Sequence, residues 1–157
     1  MRVLIAMAAL LILAAPVWAG SIGPRAGWAV HDTGKTYKQL IADLKAAVKA
    51  NGMIVVTQAG PTGAAKKRGI TIPGNRVIGV YNNDFAVRAV RLSVAAMIEA
   101  PIRFYVTEDE DGTATLSYKT PSHVFAPYQD EGGEALAALA AELDEIFGKI
   151  AADAVSE

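Results

Sequence analysis

The hydrophobic and polar positions of this chain follow two periods, one typical of helices and one typical of strands. Residues 36–52 carry apolar side chains at helical spacing, and Thr36 with Gln39 fits a capping box at the start of that segment. Asn51 and Gly52 are typical of a left-handed helix end. The pattern predicts an amphipathic helix whose apolar stripe packs on a sheet.

Strand patterns lie on both sides of this helix. Residues 27–33 resemble a first strand, with Trp28 and Val30 on one face and His31 at the point where the chain begins to leave the strand. Residues 53–58 form a β-branched run that predicts a second strand. Residues 75–83 predict a further strand. Because that strand is largely apolar, we place it at the centre of the sheet.

Two short elements are predicted between the second strand and the central one. Residues 61–68 have the composition of one or two helical turns, which Gly69 stops. Residues 70–72 predict a short extended piece, which ends at Pro73 and Gly74.

The clearest strand pattern lies in the second half of the chain. Residues 102–108 alternate strictly, residues 109–112 form a turn, and residues 113–120 return as the partner strand. One face of the first of these strands carries Ile102, Phe104 and Val106. The segment predicts a β-hairpin.

Two further helices complete the pattern. Residues 84–99 hold so many apolar side chains that we expect a largely buried helix, with Asp84 at its N-cap and Pro101 just after its end. Residues 134–152 predict a C-terminal helix. The order of elements predicts a single α+β domain with a mixed β-sheet, two or three packed helices and a C-terminal helix.

The N-terminal residues predict export. Arg2 precedes an apolar run of about thirteen residues, which is too short to span a membrane but has the length of a signal-peptide core. Because the next residues fit a cleavage site, we predict a cleaved signal peptide over residues 1–19 and a flexible lead over residues 20–27. Residues 28–152 would then form the single domain, periplasmic or secreted, with no stable membrane anchor.

Composition excludes several kinds of chemistry. The chain has no cysteine, which excludes disulfides, thiolate nucleophiles and cysteine-rich zinc sites. Its formal net charge is −1 and its basic cluster is residues 66–68, so nucleic acid is not an expected partner. The sequence has no phosphate loop, dinucleotide fingerprint, nucleophile elbow or zinc-protease motif. It therefore favours a non-catalytic protein that needs no cofactor.

Four segments together resemble a known family. They are LKAAVKANGMIVV, GAAKKRGI, the strand that runs into YNN, and above all APIRFYVTEDEDGTATLSYKTPSHVF. In their order and spacing, over about residues 33–125, they resemble the family named domain of unknown function 302 (DUF302). The resemblance implies a small bacterial α+β domain, often exported, that forms a homodimer and has no agreed activity.

Two positions differ from the pattern of that family. Relatives often carry a histidine just before the short second helix, where Gly60 stands at the nearest position in this chain. The usual GNP after the central strand is replaced by Asn82, Asn83 and Asp84. A metal or haem role implied through that histidine therefore cannot be carried over to this chain.

The junction after the central strand is the candidate ligand site. Tyr81, Asn82 and Asn83 end a strand at the start of a helix, where unpaired N–H groups and the helix dipole attract anions. Arg88 and Arg91 follow on adjacent parts of one helix face and could complete an anion pocket. The alternative is a plain capped helix, because a capping side chain would satisfy the same N–H groups.

We expect two tyrosines of the hairpin, Tyr105 and Tyr118, to face this junction and complete the ligand site. The acidic residues 108–112 of the hairpin turn lack the alternating ligands and the later bidentate acid of a calcium-binding loop. They predict a solvated turn.

The two histidines, His31 and His123, are the candidates for binding a metal or haem. His123 is the better candidate because Phe125 and Tyr128 follow it closely.

We therefore predict an exported, non-catalytic, homodimeric domain that binds a small ligand or a partner protein in the cell envelope. The alternative is a haem- or metal-binding redox protein or enzyme that uses His123 or His31. A structural envelope protein with no small ligand is a third interpretation.

Overall fold

The computed structural model describes residues 22–157, and the predicted leader over residues 1–19 lies outside this part of the chain. The elements, in chain order, are β1 (Trp28–Thr36), α1 (Tyr37–Ala50), β2 (Ile54–Ala59), α2 (Thr62–Lys67), β3 (Asn75–Tyr81), α3 (Asn83–Leu92), β4 (Ile102–Glu108), β5 (Thr113–Lys119), α4 (Pro121–Phe125) and α5 (Gln129–Val155). Two 3₁₀ turns span Ala95–Glu99 and Ala126–Tyr128.

The five strands form one sheet in the order β1-β5-β4-β3-β2, and every neighbouring pair is antiparallel. The predicted α+β class, single domain and C-terminal helix are confirmed. The sheet is antiparallel throughout and not mixed, because β1 and β2, the two strands that α1 joins, lie at opposite edges and do not pair. The predicted hairpin is present as β4 and β5, with Phe104 opposite Tyr118 and Val106 opposite Leu116.

Helices α1, α3, α4 and α5 contribute buried side chains to a core on one face of the sheet, which we call the inner face. Its strand residues alternate with outward ones, as the period of a strand requires, and they include Ile78, Phe104 and Leu116, which are fully buried. Helix α1 contributes the predicted apolar stripe of Leu40, Leu44 and Val48. The other face, which we call the outer face, lies away from this core, and helix α2 contributes no residue to the core.

Helix α1 begins as its sequence predicts. The hydroxyl of Thr36 accepts a hydrogen bond from the N–H of Gln39, and the side chain of Gln39 accepts one from the N–H of Thr36. This reciprocal pair satisfies two N–H groups that the first turn leaves free, so it fixes the point where β1 becomes a helix.

The helix predicted over residues 84–99 is shorter and more exposed than expected. It starts at Asn83, ends at Leu92, and continues after an extended Ser93 as a 3₁₀ turn. Val94 and Ile98 are 77% and 78% exposed, so the prediction of a largely buried helix is wrong. The break has a local cause, because the hydroxyl of the buried Ser93 accepts the N–H of Ala96 and competes with continued helix.

Other boundaries also differ from the sequence prediction. Strand β1 continues past His31 to Thr36, because β5 supplies pairing partners along this length. Residues 70–72, predicted as extended, form no strand. Helix α5 bends at Gly133, whose φ of 54° is left-handed, and so its regular part starts at Glu134 as predicted. Every helix among residues 22–157 is too short or too polar to cross a membrane.

Candidate functional site

The outer face of the sheet is built from rows of side chains that face each other across neighbouring strands. The middle row holds Val30, Ser117, Tyr105 and Val77, from β1, β5, β4 and β3 respectively. On one side of this row Trp28 stands opposite Lys119 and Arg103 stands opposite Gly79. On the other side lie Asp32, Thr115, Thr107 and Asn75. The two ends of this face therefore differ in charge.

A cleft of about 470 Å³ opens at the Trp28 end of the outer face. We call it the Trp28 cleft and define it by Trp28, Glu99, Arg103, Tyr105 and Lys119. Its volume lies within the range of about 300–1,000 Å³ that is usual for small-molecule sites. A depression of about 480 Å³ beside Lys35, Asp43 and Asp153 is of similar size, but no aromatic side chain lines it, whereas Trp28 and Tyr105 line this cleft.

Positive charge surrounds the Trp28 ring. The guanidinium of Arg25 lies 5.2 Å from the ring centroid, and the ammonium of Lys119 lies 5.9 Å from it. Both distances are within the range of a cation–π contact, which holds the cations near the cleft without neutralising them. The cleft can therefore attract an anion and offer it an aromatic surface.

The one carboxylate in the lining of the cleft is engaged elsewhere. Glu99 accepts the hydroxyl of Tyr128 at 2.8 Å, and its second oxygen lies 3.8 Å from the guanidinium of Arg103. This hydrogen bond is the main cause of a raised pKa for Tyr128. A separation of 3.8 Å leaves Arg103 loosely held and free to bind another anion.

The tyrosines of the predicted site lie on different faces of the sheet. Tyr105 is on the outer face, where its hydroxyl accepts a hydrogen bond from the side-chain amide of Asn75. Tyr118 is on the inner face and is 5% exposed, although part of it reaches the Trp28 cleft. Burial, with a smaller contribution from the charge of Asp144, raises the pKa of Tyr118.

The strand–helix junction lies apart from that cleft. Tyr81, Asn82 and Asn83 line a separate shallow depression beside Gly52. Asn82 is the N-cap of α3, since its side-chain oxygen accepts the N–H groups of Asp84 and Phe85. The expectation that Asp84 caps this helix is wrong, because the cap lies two residues earlier and Asp84 is in the first turn.

The arginines of the predicted anion pocket point to other partners or to solvent. Arg88 donates to a carboxylate oxygen of Glu142 at 2.6 Å and joins α3 to α5. This hydrogen bond raises the pKa of Arg88 and lowers the pKa of Glu142. Arg91 is exposed. The structure thus brings Tyr105 and Tyr118 to one cleft and leaves the junction residues and both arginines away from it.

The two histidines occupy different environments. The ring of His31 stacks against that of Tyr118 with centroids 6.2 Å apart, and its Nε2 is buried without a hydrogen-bond partner. His123 is exposed on α4, with its ring beside Gly27. Within residues 22–157, no three or more His, Asp or Glu side chains converge on a possible metal position.

Of the five residues that define the cleft, sequence reasoning missed four as ligand-binding candidates: Trp28, Glu99, Arg103 and Lys119. A signal for two of them was available, since Trp28 and Lys119 lie near the ends of predicted strands. What the sequence could not supply was the pairing of β1 with β5, which places these two residues opposite each other.

Comparisons with known proteins agree on the fold. A family profile described as "Domain of unknown function DUF302" matches residues 29–152. The crystal structure of an uncharacterized conserved protein DUF302 from Bacillus stearothermophilus superposes with a TM-score of 0.69 at 19% sequence identity, and the alignment covers 82% of this chain and 96% of that chain. No curated protein matches the chain. At this identity the structural likeness concerns the fold alone.

Proposed function

This chain belongs to the DUF302 family, and we propose that it works as a non-catalytic binding domain whose Trp28 cleft takes a small anionic ligand. The observation that carries the proposal is the cleft itself. It joins a volume of about 470 Å³ with an aromatic wall and with Arg103 and Lys119, on the outer face of the sheet.

The lining of the cleft defines the kind of ligand. Trp28 and Tyr105 offer flat apolar surfaces, which favour a planar or aromatic body. Arg103 and Lys119 offer guanidinium and ammonium donors, which favour a carboxylate or phosphate group on that body. An aromatic carboxylate of modest size satisfies both requirements.

A binding role also fits the arrangement of the acidic group. Glu99 is the carboxylate of the cleft, and it already accepts the hydroxyl of Tyr128. This hydrogen bond orients the carboxylate, and Arg103 and Lys119 are the cationic groups of the cleft that a ligand can bind.

The binding proposal can be tested with charged and neutral probes of the same shape. We expect a panel of aromatic carboxylates to raise the melting temperature, and the matching neutral amides to have no effect. The double substitution Arg103→Ala with Lys119→Ala should remove this response. The control Lys49→Ala with Arg91→Ala removes two cations outside the cleft and should keep it. Equal responses in both double variants, or no response to any anion in the unsubstituted protein, would contradict the proposal.

We place this role in the cell envelope, and we propose a homodimer as the working form. The leader pattern of residues 1–19 supports export, and the family resemblance supports the dimer. N-terminal sequencing of protein recovered from the periplasm should start near residue 20. Light scattering on the purified protein measures its mass in solution, and a monomer would remove the dimer from the proposal.

One observation supports the alternative function, a haem or metal protein that uses His123 or His31. The Nε2 atom of His31 is buried without a partner, as a nitrogen that binds a cofactor would be before loading. An absorbance spectrum and elemental analysis of the natively purified protein distinguish the two functions. A stoichiometric haem band or metal that is lost in His31→Ala would favour the alternative.

A further inference from the structure

Two carboxylates share one hydroxyl at the other end of the outer face. Asp32 Oδ1 lies 3.1 Å and Asp109 Oδ2 lies 2.7 Å from the hydroxyl oxygen of Thr115. A threonine hydroxyl has a single proton, so it can donate to one of the two carboxylates at a time. The other carboxylate faces the same oxygen without a proton between them.

These two aspartates have no basic partner in the described part of the chain. The ion pairs formed among residues 22–157 involve Asp43, Glu142 and Glu99, and neither Asp32 nor Asp109 takes part in one. Two carboxylates placed close together repel each other unless a cation or a proton lies between them. The Oδ1 atom of Asp109 is in addition buried without a hydrogen-bond partner.

Thr107 provides an independent indication of a missing partner. Its side chain is 5% exposed, and its hydroxyl oxygen makes no hydrogen bond. Thr107 stands directly opposite Thr115, so its side chain lies on the same face of the sheet as the hydroxyl that both carboxylates contact. Buried hydroxyl groups are almost always paired, so the oxygen of Thr107 is available beside Thr115 as a further ligand.

We propose that Asp32, Thr107, Asp109 and Thr115 form a binding site for a hard divalent cation such as Ca²⁺. All four side chains offer oxygen atoms, which are the ligands that such cations prefer. Ca²⁺ accepts six to eight oxygens in flexible geometry, so water can complete a shell that the protein fills only in part. Asp32 is exposed and gives the cation a path from solvent.

This site differs from the calcium-binding loop that the hairpin sequence lacks. Its ligands come from β1, β5, the end of β4 and the residue after it, so sheet pairing brings them together and no linear motif is needed. The lining of the Trp28 cleft reaches Asn75, the cross-strand neighbour of Thr107, but it includes none of the four proposed ligands. A bound cation would tie the edge strand β1 to the β4–β5 hairpin.

The site can be tested with Ca²⁺ alone on the purified protein after treatment with a chelator. Ca²⁺ should bind in calorimetry with one cation per chain and should raise the melting temperature. Asp32→Asn and Asp109→Asn should each abolish the response, and Thr107→Val should weaken binding by at least about tenfold. The control Glu110→Gln removes a charge from the same hairpin outside the cluster and should bind as the unsubstituted protein does.

A second measurement keeps the test decisive if a variant is altered in stability. Without a divalent cation, Asp32→Asn should melt at a higher temperature than the unsubstituted protein, because it removes the repulsion between the carboxylates. With Ca²⁺ this order should reverse. If the unsubstituted protein responds to none of Ca²⁺, Mg²⁺ and Mn²⁺, or if Glu110→Gln loses the response as fully as Asp109→Asn, the proposal is overturned.

Discussion

The rings of Phe104 and Phe147 stack with centroids 4.8 Å apart and planes inclined by 11°, and this contact joins the central strand β4 to helix α5. Both side chains are fully buried. Phe147→Ala should lower the free energy of unfolding by about 3–5 kcal/mol, because it removes a buried ring and leaves a cavity. Urea denaturation followed by circular dichroism measures this loss.

Ile98→Ala is the control for that substitution. Ile98 is 78% exposed, so its truncation should change the free energy of unfolding by less than about 0.5 kcal/mol. Equal losses for the two variants would show that the stack does not hold α5 on the sheet.

Asn82 should be more important for stability than its neighbour Asn83. Asn82 caps α3 through its side-chain oxygen, and its side-chain amide donates to the carbonyl of Gly52 at 3.0 Å. Asn82→Ala should lower the free energy of unfolding by about 1 kcal/mol. Asn83→Ala should have a smaller effect, because Asn83 lies inside the helix and is exposed. Thermal denaturation compares the two, and a larger loss for Asn83→Ala would contradict the assignment of the cap.

Two glycines near α2 should respond to alanine in opposite directions. A Cβ atom at Gly60 would lie 2.1 Å from the backbone oxygen of Asn75, which cannot move aside without shifting β3. Gly60→Ala should therefore destabilise the protein by about 1–3 kcal/mol.

Gly63 is the matched position within α2. No heavy atom lies within 4 Å of a Cβ placed there. Gly63→Ala should stabilise the protein by about 0.4–1 kcal/mol, since it restricts the unfolded chain at no steric cost. Chemical denaturation of both variants gives the comparison, and destabilisation by both would contradict it.

Alkaline pH should destabilise the protein through its buried or hydrogen-bonded tyrosines. Burial raises the pKa of Tyr118, and the hydrogen bond to Glu99 raises the pKa of Tyr128. The folded state holds the proton of both tyrosines more tightly than the unfolded state does. Their contribution to the free energy of unfolding is therefore fully present below the ordinary tyrosine pKa of about 10. It is lost as the pH rises from there through the higher folded-state values.

Ultraviolet titration of tyrosinate measures this effect directly. Tyr118 and Tyr128 should ionise at a higher pH in the folded protein than in denaturant, because the fold raises the pKa of each. Tyr118→Phe and Tyr128→Phe should each remove one late step. A titration in which neither substitution changes the late phase would contradict the assignment.

Local patterns predicted much of the fold. The capping box at Thr36, the alternating hairpin and the start of the regular part of α5 follow from residues close in sequence, and all three were predicted correctly. These features depend on hydrogen bonds and side-chain periods within a few residues. The α+β class follows from them, since an apolar helix stripe and an apolar strand face must cover each other.

The prediction of burial from apolar content was wrong where burial depends on tertiary contacts. The segment around Val94 is rich in apolar residues, yet Val94 is exposed and Ser93 interrupts the helix. A count of apolar side chains does not show how many neighbours surround each one. Which side chains are buried depends on the packing of distant elements.

The candidate site was the hardest part to predict. Alternation alone places Tyr105 on one face of the hairpin, but the face of Tyr118 relative to it depends on the register of β5 against β4. The meeting of Trp28 with Lys119, and of Asp32 with Thr115, depends on the pairing of β1 with β5. A local sequence pattern does not show which strands pair when they are so distant in sequence.

The pairing of the first strand with the last also sets the order in which the chain can fold. Strand β1 lies at the edge of the sheet beside β5, so Trp28 has no cross-strand neighbour until Lys119 arrives. Contacts between residues so far apart in sequence give a high contact order. Folding is then slow, because a long loop must close before β1 and β5 can form stabilising contacts. We expect the β4–β5 hairpin to form early and β1 to dock onto it late. Until β1 docks, we expect its backbone to be accessible to chaperones and proteases.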